Sequence, residues 1–147
     1  MEKPDRLQTP GNLDLNLQAV RDYLSRQTDL AAAFLFGSFA TGRARRNSDV
    51  DVAVLYTRKG GDNYARFKDR LRMEDELEDI CRRRVQIVDL ECASTTLQRQ
   101  VRRYGRILME ADRRRRVEFE VSCRRSFLDI KDALALHTEK CLQRLEV

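Results

Sequence analysis

Four short apolar runs are separated by polar and charged stretches along the chain. Runs of this length, bounded by glycine or charged residues, are typical of strands buried in a sheet. The predicted strands are Ala31–Phe36, Val50–Leu55, Val85–Leu90 and a shorter one at Ile107–Met109.

Apolar residues recur every three or four positions in the stretches around these runs, which predicts amphipathic helices. The predicted helices carry Leu13, Leu17, Val20 and Leu24; then Tyr64, Phe67, Leu71, Leu77 and Ile80, ending near Cys81; then Leu97, Val101 and Tyr104, ending at Gly105. The helical spacing places Tyr64 and Phe67 in the core. From Asp112 onwards the chain has no glycine or proline, so we expect one long helix or two separated by a bend.

The length of 147 residues predicts a single domain of mixed α and β elements. Two prolines and a glycine among the first 11 residues predict a flexible N-terminus over residues 1–12, with the domain at 13–147. No apolar stretch approaches the roughly 20 residues that cross a bilayer, and no signal-peptide pattern opens the chain. The four cysteines have neither Cys-x-x-Cys spacing nor a nearby histidine pair, which is typical of a reduced, cytoplasmic protein.

The chemistry-bearing residues lie between the first two strands. Gly37 and Ser38 directly follow the first strand, and Asp49 and Asp51 open the second one. A glycine permits a tight turn, and the start of a helix with a serine hydroxyl suits a phosphate. Side chains two apart on a strand share a face, so the two aspartates would lie side by side, an arrangement that a hard divalent cation stabilises.

The segment Gly37-Ser38-Phe39-Ala40-Thr41-Gly42, followed by Ser48-Asp49-Val50-Asp51, resembles the signature of the DNA polymerase β nucleotidyltransferase superfamily. More narrowly, it resembles the minimal nucleotidyltransferases, whose pattern is Gly-Ser-x-Ala-x-Gly and then Ser-Asp-x-Asp. Every fixed position of that pattern is present. The resemblance implies an α+β fold in which a small mixed sheet is backed by helices, with a long C-terminal helix.

The superfamily usually supplies a third metal-binding carboxylate from a later strand. Asp89, near the end of the run Val85–Leu90, is the candidate. Glu91 lies two residues further on and is the fallback. The alternative is an acid at the end of a strand that only keeps the sheet edge soluble.

A second resemblance lies in the C-terminal part of the chain. The segments Tyr104-Gly105-Arg106-Ile107-Leu108-Met109-Glu110 and Phe127-Leu128-Asp129 resemble the tail of the antitoxin branch of the minimal nucleotidyltransferases, although Met109 and Phe127 stand where tyrosine is common. This resemblance implies an antitoxin that forms a hetero-oligomer with a HEPN-type ribonuclease toxin. It neutralises that toxin by transferring AMP from ATP to a tyrosine.

The resemblance also implies residue roles. Asp49 and Asp51 would hold two Mg²⁺ ions, and Asp89 would complete the second site and help to remove the tyrosine proton. Gly37 and Ser38 would anchor the triphosphate, with Arg43 and Ser48 as further nucleotide contacts. Among the arginines of this loop, Arg43 is favoured over Arg45 and Arg46.

Other functions remain open at this stage. The same chemistry could modify RNA or a small molecule, although the chain has no room for a further domain to hold such a substrate. An antitoxin could act by occlusion alone, and a basic DNA-binding repressor is a third alternative. A net charge of +5 keeps nucleic acid possible. It is not favoured, because acidic stretches match the runs Arg82–Arg84 and Arg113–Arg116 and because consecutive helical residues cannot share one face.

Overall fold

The computed structural model describes residues 6–9 and 13–145, with side chains from Leu15 onwards. Eleven elements follow one another along this part of the chain. They are β1 (Arg6–Thr9), β2 (Leu13–Asn16), α1 (Leu17–Ser25), β3 (Leu30–Phe36), α2 (Ser38–Thr41), β4 (Val50–Tyr56), α3 (Asn63–Cys81), β5 (Val85–Asp89), α4 (Thr95–Tyr104), β6 (Arg106–Glu110) and α5 (Arg113–Leu145).

The four strands predicted from the apolar runs form one mixed sheet in the order β5-β4-β3-β6. β3 pairs antiparallel with both β4 and β6, and β4 pairs parallel with β5. A crossover connection is needed between parallel neighbours, and α3 provides it. The predicted α+β fold, with a small mixed sheet backed by helices and a long C-terminal helix, is confirmed.

Helices cover both faces of this sheet, which explains why β3 and β4 are almost continuously apolar. On one face, Val52 and Val54 of β4 pack in a cluster with Met73 and Leu77 of α3. We call it the α3 face. On the other face, Ala53 and Leu55 cluster with Val101 of α4, and Phe119 of α5 packs against them. We call it the α4 face. Because side chains alternate along a strand, residue parity assigns each position of β4 and β5 to one of these faces.

The first helix begins later than the periodicity predicted. Leu13 belongs to β2, which pairs antiparallel with β1 in a hairpin that the sequence pattern did not indicate. The Asn16 side chain then accepts a hydrogen bond from the Ala19 N–H at 3.2 Å and starts α1 at Leu17. Of the predicted flexible segment 1–12, residues 1–5 and 10–12 lie outside the described residues.

The predicted core positions at the start of α3 are wrong. Tyr64 is 69% exposed and Phe67 is 50% exposed. The buried side of this helix instead carries Arg66, Met73 and Leu77. The apolar spacing of the first turn therefore marks the outer side of the helix, and a buried arginine takes the inner side.

The C-terminal region is one continuous helix, α5, of 33 residues. It starts against the α4 face and continues beyond it. No helix in the part of the chain that the structure describes has the length and apolar character to cross a membrane.

Candidate active site

The turn between β3 and α2 brings the backbone against the second strand. Gly37 has φ 73° and ψ −152°, a conformation that is essentially restricted to glycine. A Cβ at Gly37 would collide with the Asp51 carboxylate. The Gly37 carbonyl accepts hydrogen bonds from the N–H groups of Ala40 and Thr41, at 3.1 and 3.3 Å, which fold α2. Position 37 therefore sets the distance between the turn and the carboxylate.

The predicted pair of aspartates lies where β4 begins, with Asp51 on the α4 face of the strand and Asp49 just before it. Asp51 stands opposite Phe36 in the register of β3 and β4 and is partly buried, whereas Asp49 is exposed just before the strand. Burial raises the pKa of Asp51 above its ordinary value, and the negative charge of Asp49 raises it further. Two carboxylates in this arrangement repel each other, so a bound cation would stabilise them.

Ser48 shapes the loop that leads to Asp49. Its hydroxyl accepts a hydrogen bond from the Arg45 N–H at 2.7 Å, and its own N–H donates to the Arg45 carbonyl at 3.0 Å. Arg43 is anchored at its backbone, which donates to the Ser38 carbonyl at 2.9 Å, while its side chain is exposed. The structure thus gives Ser48 a role in the turn and leaves the Arg43 side chain accessible.

The structure places the predicted third carboxylate away from the two aspartates. Asp89 pairs with Val54 in the parallel register, three residues beyond the partner of Asp51, which corresponds to about 10 Å along the strand. An offset of three residues also places Asp89 on the opposite, α3 face. There it is buried and pairs with Arg66 at 3.5 Å and Arg70 at 3.6 Å. The structure therefore does not bring Asp89 beside Asp49 and Asp51, and the acid serves as the ion-pair partner of α3.

The fallback residue Glu91 lies still further from the aspartates. Its carboxylate pairs with Arg66 at 3.1 Å and Arg115 at 3.3 Å and accepts a hydrogen bond from the Gly60 N–H at 3.0 Å. Burial alone would raise the pKa of Glu91. The Gly60 and Arg66 hydrogen bonds and the charges of Arg115 and Arg66 outweigh it and hold the pKa below the ordinary value. Glu91 thus joins α3, α5 and a loop.

The residue that the register places beside Asp51 is Gln86. The two are partners across β4 and β5, and their shared parity puts both side chains on the α4 face. Gln86 is exposed, in contrast to its buried neighbours Val85 and Ile87. Sequence reasoning missed this position because it searched the strand for acids. The signal was the single polar residue within the alternating segment Val85-Gln86-Ile87.

A cleft with a volume of about 670 Å³ opens next to Gly37. It is lined by the α2 turn on one side and by Gln100 and Tyr104 of α4 on the other, with Phe36 and Arg43 at its margins. Tyr104 is 58% exposed, so its ring is available to a ligand. Neither Gln100 nor Tyr104 was predicted to take part, since only the fold brings the end of α4 to the turn after β3.

A second cleft, of about 460 Å³, lies beside Asp49. Its lining includes Asp49, Arg46 and the run Arg82–Arg84. Arg83 donates to the Arg46 carbonyl at 2.8 Å and lies over the Phe39 ring at 5.2 Å, so it is partly structural. The two basic segments, distant in sequence, are therefore neighbours around the aspartates.

Residues 18–114 match the protein family described as "Polymerase beta, Nucleotidyltransferase". The chain belongs to this family. The prediction made from Gly37, Ser38, Asp49 and Asp51 is thereby confirmed at the level of the family.

Similar proteins refine this assignment. The chain is 36% identical over 92 residues to "Protein adenylyltransferase MntA" of Shewanella oneidensis, a match that covers 63% of this chain and spans only 60% of that relative. Among solved structures, a toxin–antitoxin crystal structure with AMP-PNP superposes with a TM-score of 0.65 at 28% identity, covering 87% of this chain and 99% of that one. A mutant MntA–HpeT toxin–antitoxin complex gives a TM-score of 0.63 at 26% identity, with the same coverage.

The donor set of this site fits a divalent metal only in part. Asp49 and Asp51 supply hard oxygen ligands on one face. Within residues 15–145, whose side chains are described, no third aspartate, glutamate, histidine or cysteine joins them in a metal-ligand cluster. Gln86 adds an amide oxygen, which is a neutral donor. The residues present therefore offer two carboxylates and one neutral amide to a divalent cation.

Proposed function

We propose that this protein is an antitoxin that transfers AMP from ATP to a tyrosine of a HEPN-type ribonuclease toxin and thereby neutralises it. The membership of the nucleotidyltransferase family supports the reaction type. The similarity to an adenylyltransferase, and to an antitoxin crystallised in complex with AMP-PNP, supports ATP as the substrate and a toxin as the partner in a hetero-oligomer.

One observation carries the proposal. The Gly37 backbone lies so close to the Asp51 carboxylate that no side chain fits between them, and the negative charge of Asp49 acts on the same carboxylate. A triphosphate seated on the Gly37-Ser38 turn would therefore lie beside both carboxylates. A turn with a purely structural role would not need a partly buried carboxylate beside a second negative charge.

In the proposed reaction the tyrosine oxygen forms a bond to the α-phosphorus of ATP, and the bond from that phosphorus to the bridging oxygen breaks. Pyrophosphate leaves, and the hydroxyl proton passes to water. Asp49 and Asp51 would hold Mg²⁺, which would supply positive charge to stabilise the phosphate oxygens during the displacement. Because a tyrosine hydroxyl has a pKa near 10, the site must favour its deprotonated form during attack.

The nucleotide is assigned to the cleft of about 670 Å³ beside Gly37. Ser38 and Arg43 would contact the phosphates, and Ser48 would act by holding the loop in front of Asp49. The exposed Tyr104 ring and the Gln100 amide stand where a base or ribose would lie. Asp89 has no part in this proposal, because its carboxylate is engaged by Arg66 and Arg70 on the other face.

The decisive experiment combines the protein with the candidate toxin, Mg²⁺ and ATP labelled on the α-phosphate. We expect label on a toxin tyrosine with the wild type and none with the variant Asp49→Asn/Asp51→Asn. Asp75→Asn makes the same chemical change at an exposed position of α3, on the opposite side of the sheet, and is expected to remain active. Chelation of Mg²⁺ should abolish labelling.

Two other outcomes would replace the proposal. Label on added RNA, with an unmodified toxin, would keep the site and change the acceptor. A stable complex with an inhibited but unlabelled toxin would indicate occlusion instead of catalysis.

A further inference from the structure

Gln86 occupies the position on β5 from which a third ligand would reach the aspartates. It is the register partner of Asp51, and neighbouring strands lie about 4.8 Å apart, so the two side chains leave the sheet side by side. Gln86 is exposed on this face. A glutamine extends as far as a glutamate, so its amide oxygen can reach a cation held by Asp51.

No neighbouring acid replaces it. Asp89 and Glu91 are held by arginines at the far end of β5. Glu74 and Glu78 of α3 accept hydrogen bonds from the backbone N–H groups of Ile87 and Val85, at 2.9 and 3.2 Å. These contacts close the outer edge of β5 and direct both carboxylates away from the α4 face.

We propose that Gln86 is the third ligand position of this metal site, and that its neutral amide makes the site bind divalent cations more weakly than three carboxylates would. The affinity of a hard cation follows the charge of its ligands, so two carboxylates and an amide form a weaker set. This inference rests on the proposed metal-dependent transfer, and it adds that the reaction needs a higher Mg²⁺ concentration than a three-carboxylate site would.

The test is the binding of Mn²⁺ to the full-length protein, measured by the loss of the free-ion signal in electron paramagnetic resonance. Gln86→Glu keeps the length of the side chain and adds one negative charge. We expect it to bind Mn²⁺ about tenfold more tightly than the wild type. Gln86→Ala removes the amide oxygen and is expected to bind Mn²⁺ several-fold more weakly.

Gln143→Glu is the matched control, because it adds the same charge at an exposed position of α5 far from the site. It should leave Mn²⁺ affinity unchanged. Far-ultraviolet circular dichroism tests whether each variant is folded. If Gln86→Glu does not fold, Gln86→Asp provides a second acidic side chain at the same position. The proposal is overturned if the folded acidic variants bind Mn²⁺ no more tightly than the wild type, or if Gln143→Glu gives the same gain.

This measurement is independent of the toxin. If the labelling experiment fails but Gln86→Glu tightens Mn²⁺ binding, the ligand assignment stands and the acceptor was wrong. If labelling succeeds and the affinity does not change, transfer stands and Gln86 is not a ligand position. Loss of Mn²⁺ binding in Asp49→Asn/Asp51→Asn establishes that the measured ion occupies this site.

Discussion

Gly37 combines two constraints that are usually separate. Its backbone conformation is open only to glycine, and the space that a side chain would fill is taken by the Asp51 carboxylate. Gly42, at the other end of the same short helix, also has a positive φ of 74° but has open space around it. A comparison of the two glycines therefore separates the effect of backbone conformation from the effect of crowding at the site.

We predict that Gly37→Ala abolishes nucleotide transfer, because the added methyl group displaces either the turn or the Asp51 carboxylate. It should also lower the free energy of unfolding by about 1–3 kcal/mol. Gly42→Ala should cost roughly 1–2 kcal/mol through its left-handed conformation and keep most of the activity. Labelling assays and urea unfolding measure both effects. An active Gly37→Ala variant would contradict the assigned role of the turn.

At the scale of single residues, the sequence was sufficient to predict the site where its residues are close together along the chain. Asp49 and Asp51 are two residues apart, so strand geometry alone places them on one face. Asp89 and Gln86 differ by three residues, and only the register with β4 decides which of them faces Asp51. The apolar run predicted the strand correctly but carried no information about that register.

The contact between β5 and α3 depends on Asp89. Its buried carboxylate pairs with Arg66 and Arg70, and Arg66 also lies over the Tyr56 ring at 4.5 Å. Removing one partner of a buried ion pair leaves the other charge without compensation. This structural role explains why an aspartate stands at position 89, to which the sequence analysis had assigned a catalytic role.

We therefore predict that Asp89→Asn lowers the free energy of unfolding by about 3 kcal/mol while Mn²⁺ binding to the folded protein is retained. Asp49→Asn makes the same change at an exposed position and should show the reverse pattern, with stability retained and Mn²⁺ binding lost. Urea unfolding and a Mn²⁺ titration provide the two readouts. An Asp89→Asn variant that is fully stable but cannot bind Mn²⁺ would restore the original sequence-based assignment.

Glu91 makes the stability of the contacts among β5, α3 and α5 depend on pH. Its pKa in the folded protein lies below the ordinary value of 4.5, so its stabilising contribution is present above that value and is lost as the pH falls through the folded pKa. We predict that Glu91→Gln is less stable than the wild type at about pH 7 and that the difference shrinks below about pH 4.5.

Urea unfolding at several pH values measures this difference. Glu118→Gln is the control, because the Glu118 side chain is 62% exposed and its partner Arg114 is 90% exposed. Its difference from the wild type should be small at every pH, as surface ion pairs contribute little. A Glu91→Gln difference that stays constant down to about pH 3 would mean that the Glu91 carboxylate does not contribute through its charge.

The sequence predicted the strands and helices more accurately than it predicted which side of each helix is buried. All four strands of the main sheet follow the apolar pattern, because burial on both sides of a sheet demands continuous apolar runs. The inner side of α3 was assigned wrongly, since Arg66 occupies a position that periodicity gives to an apolar residue. Within the run Arg113–Arg116, Arg115 donates to the Tyr56 carbonyl at 3.1 Å and Arg116 pairs with Glu120 at 2.9 Å, contacts that the sequence pattern does not indicate.

On the scale of the whole molecule, α5 consists of two unlike parts. The first part docks on the domain through Arg115, Arg116 and the buried Cys123, and Arg99 of α4 lies over the Phe127 ring at 4.4 Å. From Leu128 to Leu145 every residue is exposed. The helix of 33 residues extends about 50 Å, well beyond the sheet that it covers.

We predict that a chain ended after Leu128 keeps its free energy of unfolding within about 1 kcal/mol of the full-length protein, because the removed residues bury nothing in the described structure. A chain ended after Asp112 should lose several kcal/mol or fail to fold, since it also loses the contacts of Arg115 with Tyr56 and Glu91 and the burial of Cys123. Urea unfolding and Mn²⁺ binding compare the two. A large loss of stability in the chain ended after Leu128 would mean that residues 129–145 make contacts that stabilise the domain.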